Sequence, residues 1–285
     1  MTQPNSYIFT MHCPDRLGVV AVVSDVFYKH SAFITEVSNY SDPVSQRFFL
    51  RFVFDDRDLA CEISEFEQHI KSLAHSWLIE YRLRRVSSPM RVLIAVSKFD
   101  HCLNALLNKW RSGVLPIDVV GVVSNHETCR DLAEWYKVPY HHLPVSPETK
   151  LEQEQQILEI MQTEKVDLLV LARYMQILSD DMCGQLQNHA INIHHSFLPS
   201  FKGARPYDRA YARGVKVIGA TAHYVTKDLD EGPIIVQEVK PIDHEVSIDQ
   251  MIHMGHDIES SALCEAVRLH TTQRVVQNGQ RTVVL

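Results

Sequence analysis

"RVLIAVSKFDHCLNALLNKWRSGVLPIDVVGVVS", residues 91–124, decides the fold. "RVLIAVS" is a short apolar run of strand length. Leu103, Leu106, Leu107 and Trp110 then recur at helical spacing, and "IDVVGVVS" is a second buried strand. A strand, a helix and another strand in so few residues form a βαβ unit, which places two parallel strands side by side. The rhythm continues downstream. "ETCRDLAEWYK" and "LEQEQQILEIMQTEK" read as helices, "VDLLVLARYM" as a fully buried strand, and residues 180–187 as a short helix before the strand "AINIHH" (190–195). "KVIGATAHYVTKDLDEGPIIVQEVK" gives two later strands around the loop "TKDLDEG", residues 247–272 one long helix, and "NGQRTVVL" a terminal hairpin. This alternation predicts an α/β fold, a doubly wound and mostly parallel Rossmann-like sheet. Such sheets bind ligands at the C-terminal ends of their strands.

Upstream of Met90 the pattern differs. "SYIFTMHC" is a strand, and Val19, Val22, Val23, Val26 and Phe27 follow on one helix face. Two strands flank the turn signal "SDPVS", and Leu59, Ile63, Phe66, Ile70 and Leu73 mark a second helix, with Asp58 as its expected N-cap. "WLIEYRLR" closes a βαββαβ, ferredoxin-like order. The predicted organisation is residues 1–84 as one domain, 85–89 ("RVSSP") as a linker and 90–285 as a second domain.

A net charge of −7, with a single basic cluster at Arg82, Arg84 and Arg85, argues against a nucleic-acid partner. No apolar run is long enough to span a membrane, and no secretory leader is expected. Six scattered cysteines without a C-x-x-C pair fit reduced thiols in the cytoplasm. The sixteen histidines show no metal-ligand spacing, so no metal is expected.

In "AINIHH" the side chains alternate, so Asn192 and His194 share one side of the strand and His195 is expected to point the other way. An amide donor beside an imidazole suits attack on a carbonyl. Both can stabilise the tetrahedral oxyanion, and the histidine can move a proton. A carboxylate is still required, and the loop 225–231 offers Asp228, Asp230 and Glu231. An N-x-H on a strand also fits a purely structural pair, and acids before Gly-Pro also fit a solvated turn.

"INIHHSFLPSFKGARPY" together with "GATAHYVTKDLDEGPII" resembles the folate-dependent formyltransferase family over about residues 90–240. The resemblance implies a catalytic set of Asn192, His194 and Asp230. It also implies a folate site on "YMQIL" (174–178), with Met175, Gln176, Ile177 and Leu178, and on Thr226, Lys227 and Asp228 opposite. Folate is then the substrate, and no separate cofactor is implied.

Three features match the deformylase branch of that family: "HHS", "GARPY" and the N-terminal domain. The acceptor would be water, and formate would be released from 10-formyltetrahydrofolate. The segment "VSKFDHCLNALL" (96–107) has no glycine, so the phosphate-cradling loop of the nucleotide-substrate branch is expected to be absent. The tRNA branch, with its extra C-terminal domain and basic surface, fits less well. The alternatives are a formyltransferase with an amine acceptor, or an inactive folate-binding sensor. His195 could shape the water site or only pack, and His223 could line the cleft or only pack.

"CPDRLGVVAVVSDVF" resembles the ACT regulatory domain over about residues 5–84. That resemblance implies an amino-acid effector, such as glycine or methionine, near Asp15, Arg16 and Gly18, and a homo-oligomer.

Overall fold

A computed structural model of the chain describes residues 5–198 and 206–285. Contacts divide the chain into two compact units, Met1–Pro89 with Thr272–Leu285, and Met90–Thr271.

In the first unit, β1 (Ser6–Pro14) is followed by α1 (Val19–Lys29), β2 (Phe33–Asp42), β3 (Arg47–Asp55), α2 (Ile63–Trp77) and β4 (Glu80–Arg85). The sheet order is β2-β3-β1-β4, and its pairs are antiparallel. This is the βαββαβ order read from the sequence. Phe27 of α1 stands at the centre of the core, edge-on to Phe52, Phe54 and Phe66, each 5.1 Å away. Such edge-to-face contacts add to the stabilisation from burial alone. Asp58 is not the N-cap of α2, which starts at Ile63 with Glu62 in the cap position. A turn closed by Leu59 N–H donating to the Asp56 carbonyl displaces the helix start. Leu59 still packs on the core from outside the helix.

The second unit contains β5 (Met90–Val96), α3 (His101–Arg111), β6 (Ile117–Ser124), α4 (Arg130–Trp135), β7 (Tyr140–His142), α5 (Lys150–Thr163), β8 (Leu168–Leu171), α6 (Asp180–Gln185), β9 (Ala190–His194), α7 (Pro206–Arg213), β10 (Val217–Tyr224), β11 (Ile234–Pro241) and α8 (Ile248–Thr271). The sheet order is β11-β10-β9-β8-β5-β6-β7. The strands from β9 to β7 run parallel, and β10 pairs antiparallel with both β9 and β11. The mostly parallel α/β sheet is therefore as read.

Three details differ from the sequence reading. Strand β8 stops at Leu171, because Arg173 takes a left-handed conformation (φ 64°) and turns the chain away. Strand β7 and helix α7 were not anticipated, since both are short and neither shows a clean period.

Helix α8 runs directly into the last segment, where β12 (Val275–Asn278) and β13 (Arg281–Val284) form the expected hairpin. The hairpin is expected within residues 90–285, but its partners lie in the first unit. Thr10 Oγ1 donates to the Gln273 carbonyl at 3.3 Å, and Arg51 Nε donates to the Thr272 carbonyl at 3.3 Å. Asn278 Nδ2 and Arg281 both donate to the buried Asp42 carboxylate, at 2.7 and 2.8 Å.

Candidate active site

The strand β9 ends beside β8 and β10 at the C-terminal edge of the parallel strands. Asn192 is in register with Leu171 of β8 and His223 of β10, and His194 with Thr221. A β-bulge between Ala222 and His223 re-aims β10 at this point. Asn192, His194 and His223 thus converge with Asp230, which comes from the β10–β11 loop.

His194 Nδ1 lies 3.2 Å from Asp230 Oδ2, and His223 Nε2 lies 3.7 Å from Oδ1 of the same carboxylate. Asn192 Nδ2 is 3.2 Å from His223 Nε2, and His223 Nδ1 donates to the Tyr224 carbonyl at 2.9 Å. Burial opposes ionisation of Asp230. The hydrogen bonds and charges of His194 and His223 more than offset it and hold the carboxyl well below the usual range. An ionised Asp230 accepts the Nδ1–H of His194, which leaves Nε2 as the reactive nitrogen. That Nε2 is buried and has no hydrogen-bond partner among the described residues.

The loop that delivers Asp230 depends on two backbone features. Asp230 itself is left-handed, at φ 58°. A Cβ at Gly232 would lie 1.7 Å from the Tyr224 carbonyl oxygen, so only glycine lets the loop return against β10.

His195 corrects the expectation from strand alternation. The strand ends at His194 and the chain bends at His195, so the two rings stack, 4.8 Å apart and 23° from parallel. Both line one cavity. Burial, Arg173 and His194 pull His195 down to about 4, which keeps it neutral near pH 7.

That cavity measures about 350 Å³ and is lined by Asn192, His194, His195, His223 and Asp230 at its polar end. Met175, Gln176, Ile177 and Leu178 form one wall, and Thr226 and Lys227 stand opposite. Met175, Ile177 and Leu229 are more than half exposed, so the mouth has an apolar rim. Asp228 stands outside the lining. Its carbonyl accepts from Thr226 Oγ1 and from the Glu231 N–H, which shapes the loop. The wall 174–178 hangs from Ser97, whose Oγ accepts the Met175 N–H at 2.9 Å. Most of "SFLPSFKGARPY", including Gly203, Ala204 and Arg205 of "GARPY", lies outside the described residues.

The expected loss of a phosphate-cradling loop after β5 falls on residues that are filled here by side chains. Phe99 and His101 stand there, and His101 Nε2 donates to Glu259 of α8 at 2.8 Å. Sequence reasoning missed Glu259 and Arg173. The available signal was an acid inside the apolar stripe of α8, among Gly255, Ile258 and Ala262.

In the first unit, Asp15, Arg16 and Gly18 occupy the turn between β1 and α1. The Asp15 carboxylate accepts from Ser41 Oγ, and the Arg16 guanidinium lies over the Trp77 ring, 4.4 Å from its centroid. Gly18 is left-handed (φ 91°) at the N-cap of α1.

The fold and this cleft define a class, and the comparisons agree with it. The family model described as Formyl transferase matches residues 90–267. A formyltetrahydrofolate deformylase from Corynebacterium sp. (strain P-1) is 44% identical over the whole of both chains. A crystal structure of formyltetrahydrofolate deformylase from Burkholderia mallei is 44% identical, with a TM-score of 0.95 over 99% of this chain and all of that one. A glycinamide ribonucleotide transformylase from Symbiobacterium toebii is more distant, at 31% identity and a TM-score of 0.64 over 69% of this chain and 94% of that one. The chain belongs to the formyltetrahydrofolate deformylases, within the formyl transferase family. No helix among the described residues is long and apolar enough to cross a membrane.

Proposed function

We propose that the chain hydrolyses 10-formyltetrahydrofolate to formate and tetrahydrofolate, with Asn192, His194 and Asp230 as its catalytic residues. The observation that carries this reading is His194, whose ring is held at Nδ1 by Asp230 and whose buried Nε2, without a partner among the described residues, belongs to a side chain that lines the cleft of about 350 Å³. The Asp230 carboxylate orients the imidazole and positions water. The water oxygen adds to the formyl carbon, and Asn192 and His194 stabilise the oxyanion by hydrogen bonding. His194 takes the proton of the water and returns it to N10 as the carbon–nitrogen bond breaks. Formate then leaves with tetrahydrofolate. The apolar rim at Met175 and Ile177 suits a flat heteroaromatic ring, and the backbone of residues 174–178 suits its polar edge. The reaction supplies formate for purine synthesis and restores free tetrahydrofolate.

Purified protein mixed with 10-formyltetrahydrofolate and no amine is expected to release formate. Release that begins only when an amine is added would replace hydrolysis with formyl transfer. Folate binding without any turnover would make the chain a sensor.

No separate cofactor or resident metal enters this scheme. The first unit is read as an ACT-type regulatory domain, since its strand order and the Asp15–Gly18 turn fit that role. Its ligand would be an amino acid such as glycine or methionine, bound in a cytoplasmic homo-oligomer. The corresponding measurement is turnover with each amino acid added, and an unchanged rate with both would remove those effectors.

A further inference from the structure

A second group of charged side chains borders the cleft, with Arg173 among the residues that line it, and takes no part in the chemistry above. Glu259 of α8 is 1% exposed, and its carboxylate gathers groups from three other segments. Oε2 accepts from His101 Nε2 at 2.8 Å and lies 3.4 Å from Arg173 Nε, while Oε1 accepts from Tyr207 Oη at 3.2 Å. Tyr207 reaches this carboxylate because position 255, one helical turn earlier, is glycine. A Cβ there would lie 1.8 Å from the Tyr207 hydroxyl. The His256 ring stacks on His101, 4.0 Å away and 9° from parallel. His101, Cys102 and Glu259 stand close enough to one another to hold a metal. The Arg173 guanidinium, however, already sets a cation beside the carboxylate.

A buried ion pair is weak evidence for stability, because desolvation opposes the attraction. The connection of this one is more informative. Arg173 is the left-handed residue (φ 64°) at which the chain leaves β8, and arginine adopts that conformation only at a cost. Its carbonyl accepts the Ser97 N–H at 3.3 Å, and two residues later the Met175 N–H donates to Ser97 Oγ. Its guanidinium lies over the Phe99 ring, 5.3 Å from the centroid. The turn is therefore held by a hydrogen bond of its backbone at Ser97 and by the charge attraction of its side chain to Glu259, since Arg173 Nε has no hydrogen-bond partner among the described residues, and the wall 174–178 starts from it.

We propose that Glu259 is a positioning residue for substrate: by holding the Arg173 guanidinium it fixes the left-handed turn that sets the folate-facing wall 174–178. This deepens the folate reading of the cleft and depends on it. Glu259 touches neither the reacting atoms nor the substrate. Losing its charge should loosen the wall and leave Asn192, His194 and Asp230 in place. The expected signature is weaker binding with the chemical step preserved.

The test is Glu259→Gln, with tetrahydrofolate binding measured directly by fluorescence titration and turnover measured on 10-formyltetrahydrofolate. The Kd and KM should rise about tenfold, while kcat stays within about threefold of wild type. Arg173→Lys, which keeps the charge and loses the planar guanidinium over Phe99, should move Kd the same way. The double variant should be no worse than either single, because both act through one contact. Where Glu259→Gln fails to fold, Glu259→Asp, which keeps the charge and shortens its reach toward Arg173, carries the test, because Arg173 itself lines the cleft. A lower melting temperature with unchanged Kd would make the cluster structural and overturn the proposal, as would a collapse of kcat at unchanged Kd. Wild-type protein that binds no tetrahydrofolate overturns the folate reading and this inference with it. Wild-type binding with unaltered variants overturns the inference alone.

Discussion

At the residue scale, Asp230 and His195 respond to acid through different chemistry. Asp230 has a depressed carboxyl pKa, so the folded state binds its proton less readily than the unfolded chain. Its contribution is present above the unfolded value of about 4 and is lost as pH falls through the lower folded value. It therefore stays ionised throughout the neutral range. Asp230→Asn removes the negative charge that holds the His194 Nδ1–H and lets an amide N–H compete for Nδ1, so kcat should fall by about 10²–10⁴ while tetrahydrofolate still binds in a fluorescence titration.

His195 is lowered from 6.5 to about 4, with burial first, then Arg173 and His194, opposed by Glu259 and Asp230. Between those values the unfolded chain binds the proton and the folded chain does not. Stability should fall as pH drops from about 6.5 to 4, by on the order of 2–3 kcal/mol. Urea melts of wild type and His195→Asn across this range should show a flatter dependence in the variant. Equal slopes would remove His195 as the cause.

At the scale of elements, the βαβ rhythm from Met90 was legible because fully buried parallel strands leave short apolar runs between helices. Asn192 and His194 were legible for the same reason, since their strand has a definite period. The side of the strand taken by His195 was not, because alternation holds only while the strand continues, and β9 ends at His194. The pairing of Asp230 with His194 could be drawn from resemblance, but its distance depends on how the β10–β11 loop folds back. Gly232 controls that return. Gly232→Ala would drive a Cβ into the Tyr224 carbonyl, displacing Asp230 from His194. Activity should be lost, with about 1–3 kcal/mol or more of strain. Assays of turnover and thermal melting check both effects, and wild-type values for the two would refute the role given to this glycine.

At the scale of the whole molecule, the final hairpin belongs to the first unit as a separate two-stranded sheet, although it follows the last helix of the second in the chain. Arg51, Thr10 and Asp42 all spend hydrogen bonds on residues 272–281. A chain ending at Thr271 leaves these buried polar groups without their partners. Its melting temperature should fall by more than about 5 °C, and hydrogen exchange should quicken in β1 and β3 first. Unchanged exchange in those strands would show that the hairpin is dispensable.

Local periodicity and turn chemistry by themselves determined two folding units, a parallel sheet and a strand that brings Asn192 and His194 to its C-terminal edge. These depend on neighbours a few residues apart, so the order of apolar and polar residues carries them. Only the tertiary structure decided that Asp230 and His223 meet at that edge, that His195 turns into the same cavity, and that Glu259 reaches Arg173 from a helix 86 positions later in the chain. Those contacts depend on loops closing between distant elements, where a single left-handed residue or a missing Cβ directs the chain.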